Sequence, residues 1–359
     1  MLKESELIDE IKHRVEEILL SSNILMVTGI AEGYSTLKSS ANRAKNIDLK
    51  FDVRTRARKE FSILIEVKSP GHPRFIRMAV SQLKDFIGNQ KSVYGVIGAP
   101  FLSEESKKIC RDAGFGFIDA AGNCFFQFDT IHIQIEGNPN PYPATRPLKT
   151  LFATKSTRAI RVLLCQPKKS WFVKDLAAEA RLSLGQVSNL KKRLLAYEWI
   201  EETDDGKFHL VNFEGLLHNW AENYNYQINE IRSFYAMQSP GDIEYTLTNY
   251  FDKHNISYAF TLMSGANRVA PLLRYQKVFC YIEKNIDQIA ADLGLKKVPS
   301  GANVILMKPY DEGIFYGSQQ IDGATIVSDV QLYLDLKSSK ERTEEAAEFI
   351  LNERIRKKW

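Results

Sequence analysis

Three charged residues carry the most legible chemistry in this sequence: Asp48, Glu66 and Lys68. Glu66 and Lys68 stand two apart in Phe61–Lys68 (FSILIEVK), and side chains two apart on a strand share a face. Ile47–Val53 alternates strictly, with Ile47, Leu49, Phe51 and Val53 one way and Asp48, Lys50 and Asp52 the other. Pairing the two runs as a hairpin, apolar against apolar, sets Leu49 across from Ile65, Phe51 from Ile63 and Val53 from Phe61. Asp48 then falls opposite Glu66 and Asp52 opposite Ser62; a one-residue slip would bury the charges. Two adjacent carboxylates repel unless a divalent cation sits between them. Mg²⁺ is held by one or two carboxylates plus substrate phosphate oxygens, and a neighbouring lysine can orient or help deprotonate the attacking water. That is metal-assisted phosphodiester cleavage. Asp48 and Glu66 are the expected metal ligands. Asp48, Glu66, Lys68 and, on the next helix, Gln82 form the expected catalytic set, with Mg²⁺ as cofactor. The plain alternative is that Glu66 and Lys68 are solvated charges on a surface strand.

A second constellation lies past the midpoint, from Phe172 to Leu210. Val173, Leu176, Ala177 and Ala180 recur at helical spacing. Arg181-Leu182-Ser183 makes a turn, with Ser183 as N-cap of a second helix. That helix turns Val187, Leu190 and Leu194 inward and Gln186, Asn189, Lys192 and Arg193 outward, where they can read base edges or hold phosphates. Asp204-Asp205-Gly206 then closes a tight hairpin. Helix, turn, helix, hairpin is the order of a winged helix-turn-helix. The expected DNA-binding residues are Ser183, Gln186, Asn189, Lys191, Lys192 and Arg193. Asp204 and Asp205 would repel phosphate, so the hairpin is expected to add little affinity. The alternative is a module that packs only against protein.

At 359 residues the chain is long enough for two or three domains with their own cores. A hydrophobic content of 44% and a charged content of 26% are those of an ordinary globular protein. The net charge of +4 permits nucleic-acid binding without requiring it. Cys110, Cys124, Cys165 and Cys280 are scattered, which fits a reducing cytoplasm rather than a disulfide or zinc scaffold. The charged start is unlike a signal peptide, and no apolar run approaches the roughly 20 residues of a membrane helix.

The positioning elements read as a helix over 5–20, a β-prone run over 24–30, and the hairpin above. A helix at 75–87, a strand at 93–97, a helix at 104–113 and a strand, turn and strand over 116–128 follow. This is one α/β domain, residues 1–136. Gly137–Pro147 holds four prolines and reads as a linker spanning 137–150. Residues 151–212, led by a helix at about 154–166, make the winged helix-turn-helix. Residues 213–359 make an α+β domain, with Phe213–Tyr235 helical, strands at VFCYI, NVILM and ATIV, and a last helix from Ser339 to Lys358. Ser264-Gly265-Ala266-Asn267 is similar to the start of a nucleotidyltransferase motif. However, VFCYI offers only Glu283 and no Asp-x-Asp follows, so a degenerate relic or a plain turn is expected. Gln331, Tyr333 and Asp335 fall on a helix face that packs.

Asp48…Glu66-Val67-Lys68 and the element order over residues 1–136 resemble the PD-(D/E)xK restriction-endonuclease-like superfamily, although Asn46-Ile47-Asp48 replaces the usual proline-aspartate. A second resemblance spans the chain. Phe115–Asn123 (FGFIDAAGN), the winged helix, Val327–Leu336 (VSDVQLYLDL), Arg342 and Glu344–Glu348 are similar to AbiEi-type antitoxins of type IV toxin–antitoxin systems. That resemblance implies a transcriptional regulator that binds double-stranded operator DNA. It also implies a nucleotidyltransferase-like toxin encoded nearby, usually without direct contact; a homodimer is compatible with it. The leading expectation is therefore a cytoplasmic DNA-binding regulator. The runner-up is a Mg²⁺-dependent DNA endonuclease targeted by its winged helix, and the third an interaction protein with no nucleic acid.

Overall fold

In the computed structural model, which describes residues 4–21, 24–35, 46–140, 151–269, 275–339 and 343–359, the chain divides into two units. One comprises Met1–Ala144 with Ala196–Glu198, the other Thr145–Leu195 with Trp199–Trp359. The expected linker lies, from residue 141 to 150, outside the described residues, as does Arg342.

The first unit opens with α1 (Glu4–Ser21), which buries Leu7, Ile11, Val15, Ile18 and Leu19. That stripe, recurring every three to four residues, lets one helix face lie flat on a sheet. The sheet has seven strands in sequential order: β1 (Leu25–Ser35), β2 (Asn46–Thr55), β3 (Glu60–Val67), β4 (Val93–Ala99), β5 (Gly116–Asp119), β6 (Cys124–Phe128) and β7 (Ile131–Ile135). β3, β4 and β5 run parallel, which requires crossovers; these are α2 (Pro73–Ile87) and α3 (Glu104–Asp112). Leu49, Phe51, Val53, Ile63 and Ile65 pack under α1, while Leu64, Ile97 and Phe117 pack under α2 and α3. Each such burial stabilises by about 1.5–3 kcal/mol. β7 was not foreseen; its short IHIQI run is exposed along much of its length, which leaves a weak apolar signal.

The β2–β3 register is the expected one: Leu49 pairs with Ile65, Phe51 with Ile63, Val53 with Phe61 and Asp52 with Ser62. The ladder stops at Leu49, so the expected pair of Asp48 opposite Glu66 is not part of it. Beyond it, Ile47 leaves the α1 side and joins the cluster with Leu64 and Ile76.

In the second unit, α4 (Thr154–Cys165), α5 (Val173–Glu179), α6 (Leu184–Ala196), β8 (Ile200–Glu202) and β9 (Phe208–Leu210) follow in the expected order. Trp171 exchanges backbone hydrogen bonds with Phe208 at 2.8 and 2.9 Å, adding a short third edge to the hairpin. α7 (Phe213–Asn223) ends a dozen residues before Tyr235, and Glu230–Tyr235 is a strand, β10. This corrects the expected helix over Phe213–Tyr235; pairing with the apolar Val304–Lys308 strand overrides local helical spacing. Then come α8 (Pro240–Lys253), β11 (Tyr258–Phe260), α9 (Leu262–Val269), β12 (Val278–Ile282), α10 (Ile286–Asp292), β13 (Lys296–Lys297), β14 (Val304–Lys308), β15 (Gln319–Ile321), β16 (Ala324–Ile326), α11 (Asp329–Ser338) and α12 (Glu344–Phe349). Their sheet runs β13-β10-β14-β12-β11-β16-β15. The expected last helix starts at Glu344 rather than Ser339, which caps α11, and it continues from Ile350 as a π-helical stretch.

α11 is buried from Asp329 through Leu336, packing against α4, α7, α9 and α12. Its polar side chains must therefore find partners inside. Asp329 accepts from Arg354 at 2.8 Å, from Gln319 at 3.0 Å and from Lys358. Gln331 accepts from the buried Arg161 at 2.7 Å and donates to Asp335 at 2.9 Å. Asp335 also accepts from Tyr224 at 2.7 Å, Tyr281 at 3.1 Å and Thr261 at 2.5 Å.

Burial pushes the Asp335 carboxyl up to about 6 in spite of those donors. An unfolded aspartate titrates at about 3.9, so the native state holds the proton more tightly between the two values. The stability that this contributes is present below about pH 4 and is lost as pH rises through about 6. Over that interval the wild-type urea midpoint should fall relative to that of Asp335→Asn. Parallel midpoint curves for the two proteins would contradict this.

Candidate functional site

In the first unit Asp48, Glu66 and Lys68 converge at the end of the β2–β3 ladder. With the ladder finished, Asp48 Oδ2 takes the place of a backbone partner and accepts the Val67 N–H at 2.7 Å. Glu66, 3% exposed, shares the face of Leu64, the α2 side, and its Oε1 accepts from the Lys68 ammonium. Burial pushes both carboxyls up; the Asp48 charge pushes Glu66 further, and Lys68 draws both back. Gln82 on α2 adds a weaker pull toward the charged form of Glu66. The four residues expected to form a catalytic set thus share one place.

Glu66 Oε2 is buried and, the weak pull of the Gln82 side chain apart, lacks a well-formed hydrogen bond among the described residues, a state that costs about 1–3 kcal/mol when nothing answers it. A hard cation would answer it, with Asp48 as the second oxygen ligand. Among the described residues no cluster of three or more His, Cys, Asp or Glu gathers to hold a metal. The donor set is thus the sparse one that suits Mg²⁺ completed by water and phosphate oxygens, not a closed protein cage.

The second unit presents the helix-turn-helix. Arg181 takes a left-handed conformation, φ 53°, to turn the chain. Ser183 Oγ accepts from the Gln186 N–H at 3.3 Å, while Gln186 Oε1 accepts from the Ser183 N–H at 2.9 Å and its hydroxyl at 3.1 Å. This is a reciprocal capping box. It gives Gln186 a structural task beside the expected one of reading base edges or holding phosphates. Val187, Leu190 and Leu194 are buried as expected. Asn189 and Lys192 are exposed, and Arg193 is half-buried. Leu184, 59% exposed, leaves an apolar side chain open at the helix start.

Lys191 departs from the expected outward face. Its ammonium pairs with Glu202 on β8 and lies 5.2 Å from the Phe208 ring centroid. It faces the hairpin because it stands only about 100° round the helix from the buried Leu190. At the hairpin tip Gly206 adopts φ 80°, and Asp205 accepts from Lys207 at 2.6 Å and from the Thr203 hydroxyl at 2.5 Å. Those two bonds hold the Asp205 carboxyl down at about 2. Lys168, Lys169 and Lys174 are exposed and make no ion pair among the described residues. They are not among the expected DNA-binding residues, and the sequence signal for them is Lys168-Lys169 directly before Ser170-Trp171-Phe172.

In the first antitoxin-like stretch, Asp119 and Asn123 bond to each other. Asp119, fully buried, accepts from the Asn123 backbone at 3.0 Å and its amide at 3.0 Å across a turn in which Gly122 takes φ 85°. Ser264, in the short nucleotidyltransferase-like stretch, is buried and accepts the Phe279 N–H at 2.8 Å. Among the described residues no helix is long and apolar enough to cross a membrane.

No curated protein matches the chain. Solved structures that match in part include one described as "Structure of EndoMS in apo form", at 15% identity and TM-score 0.20, covering 30% of this chain and 45% of that one. Another is a "crystal structure of a repair endonuclease from Pyrococcus abyssi", at 18% identity and TM-score 0.20, covering 33% and 47%. The chain spans less than half the length of either. Residues 209–356 match the family model described as "Transcriptional regulator, AbiEi antitoxin, Type IV TA system".

Proposed function

We propose that the chain is a DNA-binding transcriptional regulator of the AbiEi antitoxin type, which docks the outer face of α6 in the major groove of its operator. The observation that carries this reading is the exposed pair Asn189 and Lys192, one helical turn apart and opposite Val187, Leu190 and Leu194. The family match downstream, over residues 209–356, supports it. Asn189 has the donor and acceptor to address an adenine edge, and Lys192 a compact charge for phosphate. Ser183 and Gln186 hold the helix start, with the Gln186 amide nitrogen left to reach outward. Arg193 flanks the phosphate path, and Lys191 braces the hairpin. A nucleotidyltransferase-like toxin encoded alongside belongs to this reading; a homodimer would address two half-sites.

The test is binding to a duplex from the region upstream of the reading frame, beside a shuffled duplex. Asn189→Ala should lose about 1–3 kcal/mol of discrimination between them. Lys192→Ala should weaken both equally and flatten the salt dependence by about one unit of slope. Wild-type protein that ignores both duplexes at moderate salt contradicts the proposal.

A second reading is favoured by the unanswered Glu66 Oε2: a Mg²⁺-dependent nuclease of the PD-(D/E)xK type, targeted by the winged helix. Asp48 and Glu66 would hold the ion, which supplies the charge that stabilises a cleaved phosphodiester, and Lys68 would hold a proton-bearing group beside it. Plasmid incubated with protein and Mg²⁺ should be nicked by the wild type and left intact by Asp48→Asn and by Glu66→Gln. Because both carboxyls are raised, protons should compete with the metal, so binding of Mg²⁺ followed by calorimetry should weaken as pH falls. An intact plasmid under every condition, with no heat of metal binding, removes this reading and leaves the first domain a scaffold.

A further inference from the structure

Asp204 and Asp205 give the tip of the hairpin a charge that repels phosphate. Its base has the opposite character. Trp171 and Phe208 exchange backbone hydrogen bonds, so the segment before α5 is fixed against the hairpin. Around that junction the Lys169 ammonium lies 3.7 Å from the Trp171 ring centroid. Lys174, from α5, and Lys207, from the hairpin, lie 5.7 and 5.2 Å from the centroid of the same Phe172 ring. Ammonium groups over aromatic faces are attracted to the ring, which confines long side chains that would otherwise sample solvent freely. Three lysines from three pieces of chain are thereby gathered on one small surface, with Lys168 exposed beside them.

The acidic residues close by do not cancel this charge. Asp205 is held ionised by Lys207 and Thr203, yet an exposed ion pair is worth only about 0–1 kcal/mol. Lys207 can therefore exchange that partner for a phosphate at small cost. Asp175, next to Lys174, projects about 100° further round the helix. Lys169 and Lys174 have no carboxylate partner among the described residues.

We propose that Lys169, Lys174 and Lys207, gathered around Trp171 and Phe172, form a second phosphate-holding surface that grips the backbone of duplex DNA. This rests on the regulator reading and extends it: the α6 face discriminates sequence, while the hairpin base supplies sequence-independent grip. The partner is double-stranded DNA because the surface has charge while its aromatic faces are occupied: Trp171 is 1% exposed, and Lys174 and Lys207 lie over the half-buried Phe172 ring. Single-stranded nucleic acid is gripped chiefly by stacking on open aromatic faces.

The experiment is fluorescence anisotropy of the full chain on the upstream duplex, its shuffled copy and a single-stranded RNA of the same length, across a salt series. Lys169→Gln with Lys174→Gln, both at exposed positions, should weaken the two duplexes by equal factors and reduce the salt slope by about two. Lys169→Arg with Lys174→Arg should keep the wild-type slope. A glutamine variant that binds both duplexes with wild-type affinity and slope, while Asn189→Ala still loses discrimination, overturns the second surface and leaves the regulator reading standing. Tighter binding of the RNA than of either duplex, lost in the same variant, also overturns it. A wild type that binds no duplex overturns both.

Discussion

An arginine without exposed surface has to have its charge answered inside the protein, and Arg161 is such a residue. Its guanidinium donates to Gln331 and lies 5.1 Å from the Trp220 ring centroid, and Gln331 passes the interaction on to Asp335. The opposite charges are thus joined through one amide instead of meeting. Asp335 in turn gathers Tyr224, Tyr281 and Thr261 from three further elements. Removing one member of such a network strands the others in a low-dielectric interior. The network therefore fixes α4, and with it the frame of the helix-turn-helix, against α11. α4 in turn packs against α5, the first helix of the helix-turn-helix.

Much of the first domain could be read from alternation alone. The β2–β3 register followed from Leu49, Phe51 and Val53, because a slip by one would exchange apolar and charged faces, and so Asp48, Glu66 and Lys68 were placed together correctly. The details at their meeting point could not be read. That Asp48 caps the broken ladder at Val67, and that Lys68 already engages one oxygen of Glu66, depend on where pairing stops, and periodicity does not encode that. Residues 141–150 carried the expected linker and lie outside the described residues.

The helix-turn-helix shows the same division. Buried positions Val187, Leu190 and Leu194 follow from spacing, and Asn189 and Lys192 follow as their opposite. For Lys191 and Gln186, residue type suggests DNA contact, while local geometry gives each an internal partner that spacing does not encode: Glu202 for the lysine, the Ser183 cap for the glutamine. Lys169 and Lys174 flank Trp171-Phe172 in sequence, whereas Lys207 reaches the Phe172 ring only through the Trp171–Phe208 bridge, which spacing does not reveal. In the last domain, β10 was taken for helix because its pairing partner, β14, lies some seventy residues on.

Whether the outer side of α6 meets a duplex is read by hydrogen–deuterium exchange of the full chain, with and without a duplex from the upstream region. Exchange in the segment from Ser183 to Arg193 should slow when duplex is added, with α11 slow in both states. Unchanged exchange in that segment under saturating duplex, with protection arising elsewhere, would contradict docking through α6.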